Sequence, residues 1–179
     1  MGKRITKRYD WLVSIVLARR YKTGAEVGCA QGYITGRLLR QCKGLHLYAV
    51  DLWGKVGEDV EGRDTNYDTW DFEDVYRRFK LYTRGYRSRM TVLRGVSWEM
   101  ADRVPNNSLD FVFIDAGHNY ESVRWDILAW APKLKSRGML SGHDCNIPGV
   151  LQALNELVPT WKDTHINECW ESKKENVKL

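Results

Sequence analysis

The chain has 179 residues, 43% of them hydrophobic and 28% charged, and a formal net charge of +5. That length suits one core of ordinary size, and the composition is that of a globular domain rather than a disordered or collagen-like chain. No apolar run approaches the roughly 20 residues that a membrane-spanning helix requires, which sets aside an integral membrane protein.

Near the start, "WLVSIVLA" (11–18) leads into Arg19 and Arg20 with no small-residue cleavage site, so no secretory signal is expected. Cys29, Cys42, Cys145 and Cys169 are scattered without a C-x-x-C pair. They read as free thiols in a reducing compartment, and a cytoplasmic location is expected.

In chain order, Trp11, Leu12, Ile15 and Val16 recur at helical spacing and predict a first helix within residues 1–21. "TGAEVGCA" follows as a short buried strand ending in small residues. "YITGRLLRQCK" reads as a helix that Gly44 stops, and "HLYAVDLW" (46–53) as a second strand with an acid near its end. Residues 54–70, with Gly54, Gly57, Gly62 and many acids, predict a loop that orders on binding, a lid or substrate loop. A helix over 71–83 leads to a third strand, "MTVLRG" (90–95). "SLDFVFIDAG" (108–117) has the continuous apolar run of a strand buried on both faces. A helix over 120–134 then reaches a turn at Gly138. "GMLSGHD" is the next strand, "GVLQALNELV" a helix, and the tail "DTHINECWESKK" a terminal hairpin. This alternation predicts one α/β domain over 1–179. Its sheet is doubly wound, mostly parallel and seven-stranded, with helices on both faces and a C-terminal antiparallel hairpin.

Acids crowd residues 57–75, with Arg63 the sole base. Residues 76–94 hold arginines and a lysine, interleaved with Tyr76, Phe79, Tyr82 and Tyr86, and no acid. Such a run fits either a solvated helix face or a nucleic-acid footprint.

The turn after the first strand carries the chemistry. A dinucleotide fingerprint, G-x-G-x-x-G, needs glycines where the chain has Gly28, Ala30 and Tyr33, so that reading fails at two positions. The pattern that fits is acid-x-Gly-x-small-x-Gly, Glu26 to Gly32, followed by Asp51 at the end of the second strand. A carboxylate only accepts hydrogen bonds, so Asp51 suits the two hydroxyls of a ribose. A tight strand-to-helix turn accounts for the glycines equally well.

"AEVGCAQG", "YAVDLW", "SLDFVFIDAGHNYESVRWDI" and "GMLSGHD" resemble the successive motifs of class I S-adenosylmethionine-dependent methyltransferases over about residues 20–158. The likeness is to the small-molecule O-methyltransferase branch that includes macrocin and catechol O-methyltransferases. It implies a Rossmann-like fold and S-adenosyl-L-methionine as cofactor. Glu26, Gly28, Ala30 and Gly32 would then hold the methionine part and Asp51 the ribose, with Leu52 and Trp53 bordering the adenine and Asp115 also at the cofactor. Where the family often carries an acid for the adenine amino group, this chain has Val96, which leaves adenine to Ser97 or backbone groups. By the same likeness, Asp115, His143 and Asp144 would bind a divalent cation, magnesium or manganese, and His118 would be the catalytic base. A histidine can take a hydroxyl proton at neutral pH. For Asp115 and Asp144 the alternative is capping of the following helices. The implied acceptor is a small hydroxylated molecule. The other readings are a nucleic-acid methyltransferase acting on ribose or cap hydroxyls through 76–94, and a non-catalytic cofactor-binding module.

Overall fold

The computed structural model describes residues 5–55 and 69–179. Most of the 54–70 loop therefore lies outside the described residues. Strands β1 (Thr23–Val27), β2 (His46–Asp51), β3 (Met90–Arg94), β4 (Leu109–Ile114), β5 (Leu134–Gly142), β6 (Lys162–Asp163) and β7 (Trp170–Lys173) form one sheet. Their order is β3-β2-β1-β4-β5-β7-β6. The first five are parallel, and β7 runs antiparallel to both β5 and β6, closing the predicted terminal hairpin. This is the Rossmann-like methyltransferase architecture.

Helices α1 (Arg8–Ala18), α2 (Tyr33–Gln41), α3 (Phe72–Thr83), α4 (Ser97–Met100), α5 (Tyr120–Trp130) and α6 (Pro148–Leu157) cover the faces. Side chains alternate across a strand, so β4 serves both layers. Phe111 and Phe113 pack with Trp11 and Leu12 of α1 and Leu38 of α2. Val112 and Ile114 pack with Val123 and Ile127 of α5 and Leu154 of α6. The four consecutive apolar residues are thus buried on two sides, as their lack of alternation requires.

Gly138 corrects one expectation, because it lies inside β5 rather than in a turn. β5 already pairs at Leu134 with Leu109 of β4, and an irregularity then carries the register to Phe111 and Met139. Arg137, at φ 64°, takes the left-handed conformation there. A bulge absorbs the extra residues where the sequence signals a break. Between β1 and β4 the chain order reverses, which is where open α/β sheets bind ligands.

Candidate active site

Two glycines shape the turn after β1, with φ of +92° at Gly28 and +81° at Gly32. A Cβ on Gly28 would overlap the backbone carbonyl oxygen of Asp115, and one on Gly32 would come within 2.8 Å of the Phe79 ring on α3. Their smallness therefore serves, first of all, the close approach of protein to protein. This agrees with the tight strand-to-helix turn as an account of both glycines.

Asp51 ties this turn to the end of β2. One carboxylate oxygen accepts from the Ala30 N–H at 2.8 Å and the other from the Trp53 N–H at 2.7 Å. Each oxygen keeps further acceptor capacity. Burial pushes Asp51 upward, and these backbone bonds oppose the shift. Trp53 departs from its expected place beside a base. It is buried, its indole N–H donates to the Ala30 carbonyl, and its ring packs 4.5 Å from Phe79. It braces the turn from behind and leaves Leu52 at the cavity wall.

The cavity has a volume of about 430 Å³ and opens over the C-terminal ends of β1, β2 and β4. Glu26, Gly28, Ala30, Asp51, Leu52, Ser97 and Asp115 all border it, so the structure brings together most of the residues singled out in sequence. Glu26 is buried and accepts from the Thr35 hydroxyl at 2.6 Å. Burial raises it well above the usual carboxylate range, and the charges of Asp115 and Asp51 add to the effect.

Among the cavity residues that the sequence did not single out, two carry charge at its heart, Asp126 and Arg8. Asp126 on α5 is fully buried and borders the cavity. Its Oδ1 takes the Ser97 hydroxyl, and its Oδ2 has no hydrogen-bond partner among the described residues. Burial pushes it up to about 7, against the Ser97 bond. A signal existed: Asp126 falls at helical spacing among Val123, Ile127 and Trp130, an acid on an apolar face. The other residue is Arg8, at the start of α1. Its Nε lies 3.2 Å from Asp115, and its guanidinium 3.3 Å from His143 Nε2. Nothing local in the sequence marks it, because its partners lie more than a hundred positions away.

At this end of the cavity, Asp115, His118, His143 and Asp144 do converge. Asp144 lies 2.9 Å from His118 Nε2 and 2.9 Å from His143 Nδ1. Burial acts against its charge, yet the two histidines hold it well below the usual carboxylate range. Asp115 is pushed up by burial, with Arg8 as the leading opposing influence. Asp144 sits at φ 59°, a left-handed conformation uncommon outside glycine and asparagine. The side-chain cap of α5 is Asn119, and α6 has no side-chain cap, so neither aspartate has the capping role. His118 lies one step from the cavity, in a small crevice it shares with His143 and Asp144.

Ligand atoms of Asp115, His143 and Asp144 fall within 4.8 Å of one another. The buried His143 Nδ1 stands near Asp144 without an aligned hydrogen bond. In donor type this set fits a hard or borderline divalent ion. Arg8 meanwhile brings a positive charge to the same place. Because a guanidinium only donates, the Arg8 contact calls for a lone pair on His143 Nε2, which puts a neutral ring's proton on Nδ1. A metal taking Nδ1 would have to overturn that arrangement.

The basic 76–94 segment is largely used within the fold. Arg77 and Arg78 pair with Asp74, Arg94 pairs with Glu73, and Arg89 donates to the carbonyls of Leu39, Cys42 and Leu45.

Residues 25–145 match the family model described as a methyltransferase domain. The chain belongs to this family. Among curated proteins it is 27% identical over 143 residues to the uncharacterized protein y4gI of Sinorhizobium fredii, a match covering 76% of the chain and only 14% of that protein. Among solved structures, the methyltransferase fold is shared with the O-methyltransferase NovP. The TM-score is 0.68 at 14% identity, covering 92% of this chain and 77% of that one. TomG from Streptomyces achromogenes, an O-methyltransferase of tomaymycin synthesis solved with S-adenosylmethionine, gives a TM-score of 0.61 at 12% identity, with 92% and 77% covered. The O-methyltransferase from Bacillus cereus, solved with S-adenosylhomocysteine, gives 0.58 at 14% identity, with 92% and 78% covered. No helix among the described residues is long and apolar enough to cross a membrane.

Proposed function

We propose that the chain transfers a methyl group from S-adenosylmethionine to a hydroxyl of a small molecule. The observation that carries this reading is the charge of the cavity. Glu26, Asp51, Asp115 and Asp126 all border it, and each is pushed up by burial. A ligand bearing an ammonium and a sulfonium would offset that crowding of acids, and a ribose diol would use the acceptor capacity left on Asp51.

In this reading Glu26 and the Gly28–Gly32 turn hold the amino-acid end of the cofactor, Asp51 the ribose, and Leu52 and Ser97 the side where the base lies. Bound there, S-adenosylmethionine supplies a methyl group already activated on sulfur. The chain's own tasks are alignment, exclusion of water and removal of the acceptor's proton. His118 takes that proton. Asp144, held in its charged form, orients the His118 ring and stabilises the imidazolium that results. Asp115, His143 and Asp144 would hold a magnesium or manganese ion, which would supply Lewis-acid activation of the acceptor oxygen. The internal pairing of Arg77, Arg78, Arg89 and Arg94 supports a small acceptor over a nucleic acid. The four cysteines are buried and free, which fits a reducing, cytoplasmic setting.

Calorimetry with S-adenosylhomocysteine should show saturable binding. Labelled S-adenosylmethionine should then mark at least one member of a panel of catechols and other hydroxylated molecules. Binding with no labelled acceptor would turn the reading toward a non-catalytic module, and labelling of RNA alone would move the acceptor to a ribose or cap hydroxyl.

A further inference from the structure

We infer that Asp126, held in place by Ser97, is the acceptor for the exocyclic amino group of the cofactor's adenine. This rests on the proposed S-adenosylmethionine site and names a contact within it. The chain lacks an acid directly after β3, where Val96 stands, and α5 brings one in from the side.

Asp126 is 0% exposed, and one of its two oxygens has no hydrogen-bond partner among the described residues. A buried carboxylate left half-bonded is unfavourable, and natural cores rarely keep one without a use. Its other oxygen receives the Ser97 hydroxyl. The Ser97 carbonyl is itself fixed by the Trp130 indole N–H at 3.2 Å, and Trp98 packs edge-on against Trp125. The pair is therefore set by its surroundings rather than free to turn away.

Position gives the ligand's chemistry. With Glu26, Asp115 and Arg8 at one end of the cavity and Asp51 at the end of β2, a ribose on Asp51 leaves its base to extend toward the end of β3 and the start of α4. The walls there are Leu52, Val96 and Trp98, with Ser97 and Asp126 as polar points. Apolar walls suit the faces of a flat heterocycle. An N–H donor at the free oxygen favours the ionised form of Asp126, and a carboxylate only accepts, so it selects a base with an amino group at its edge. It would oppose a base with a carbonyl at the same place, lone pair against lone pair.

Calorimetry on the full chain would compare S-adenosylhomocysteine with S-inosylhomocysteine, which differ at this one edge of the base. The wild-type chain should bind the adenosyl compound about ten- to a hundredfold more tightly, the range expected for a hydrogen bond to a charged group. Asp126→Ala should weaken the adenosyl compound by a similar factor and bring the ratio close to one. If that variant does not fold, Asp126→Asn must still lower the ratio. One amide oxygen then replaces two carboxylate oxygens, and Ser97 competes for it. Equal affinities in the wild-type chain, or an unchanged ratio in the variants, would overturn the inference and leave the cofactor reading standing. No detectable binding of S-adenosylhomocysteine by the wild-type chain would overturn the cofactor reading, and the inference with it.

Discussion

Two neighbouring parts of the site, which meet where Gly28 lies against Asp115, are built by different means. At the turn after β1, polar groups are satisfied by backbone: Asp51 takes N–H groups from Ala30 and Trp53, and Gly28 lies against the Asp115 carbonyl. In the other part, side chains answer side chains, with Arg8, Asp115, His118, His143 and Asp144 drawn from three distant segments. A backbone-built part is rigid and intolerant of added atoms. A side-chain-built part can exchange partners, as a site for proton transfer requires. On the proposed function, binding falls to the first and chemistry to the second.

Substitution at Gly28 gives the strongest test of that contrast. Gly28→Val would place a branched side chain against backbone at a φ of +92°, so the expected outcome is loss of the folded domain, read as a missing cooperative transition in thermal melting. A folded variant with merely weaker cofactor binding would show that the turn is shaped for the ligand after all. Next in size is His118→Ala, expected to lower turnover by about two to four orders of magnitude with cofactor affinity unchanged. Undiminished turnover would remove His118 from the chemistry.

Asp51→Ala should act on binding instead. Loss of hydrogen bonds to a charged acceptor corresponds to about 1.5–3 kcal/mol each, visible by calorimetry with S-adenosylhomocysteine. Unchanged affinity would dismiss the ribose assignment. The smallest stability effect is expected at Arg8, whose side chain is 37% exposed. Arg8→Ala should alter stability by no more than about 1 kcal/mol. Manganese affinity, followed by electron paramagnetic resonance, should nevertheless rise, because the variant frees Asp115 and His143 from a resident cation. An unaltered or weaker affinity would mean that Arg8 and a metal do not compete.

Much of the fold was legible because local signals agreed with the tertiary outcome. Phe111 to Ile114 could only be a strand covered on both faces, and Asp71 before "FEDV" caps α3 through its side chain. Gly138 misled because a glycine followed by apolar residues reads as punctuation, whereas β4 pairing extends β5 on both sides of it. Trp53 misled for a related reason. The family resemblance implied a ligand contact there, but the aromatic cluster with Tyr76 and Phe79 gave its ring a larger apolar surface to cover.

By itself the sequence determined the order of strands and helices, the two glycines of the β1 turn and the acid at the end of β2, because each depends on backbone conformation and short-range spacing. Only the tertiary structure decided what Asp126 and Arg8 do. An acid on a helix and an arginine near the chain's start are ordinary in sequence. Their meaning lies in which groups α5 and α1 bring them against, and that follows from packing across the sheet rather than from neighbours along the chain.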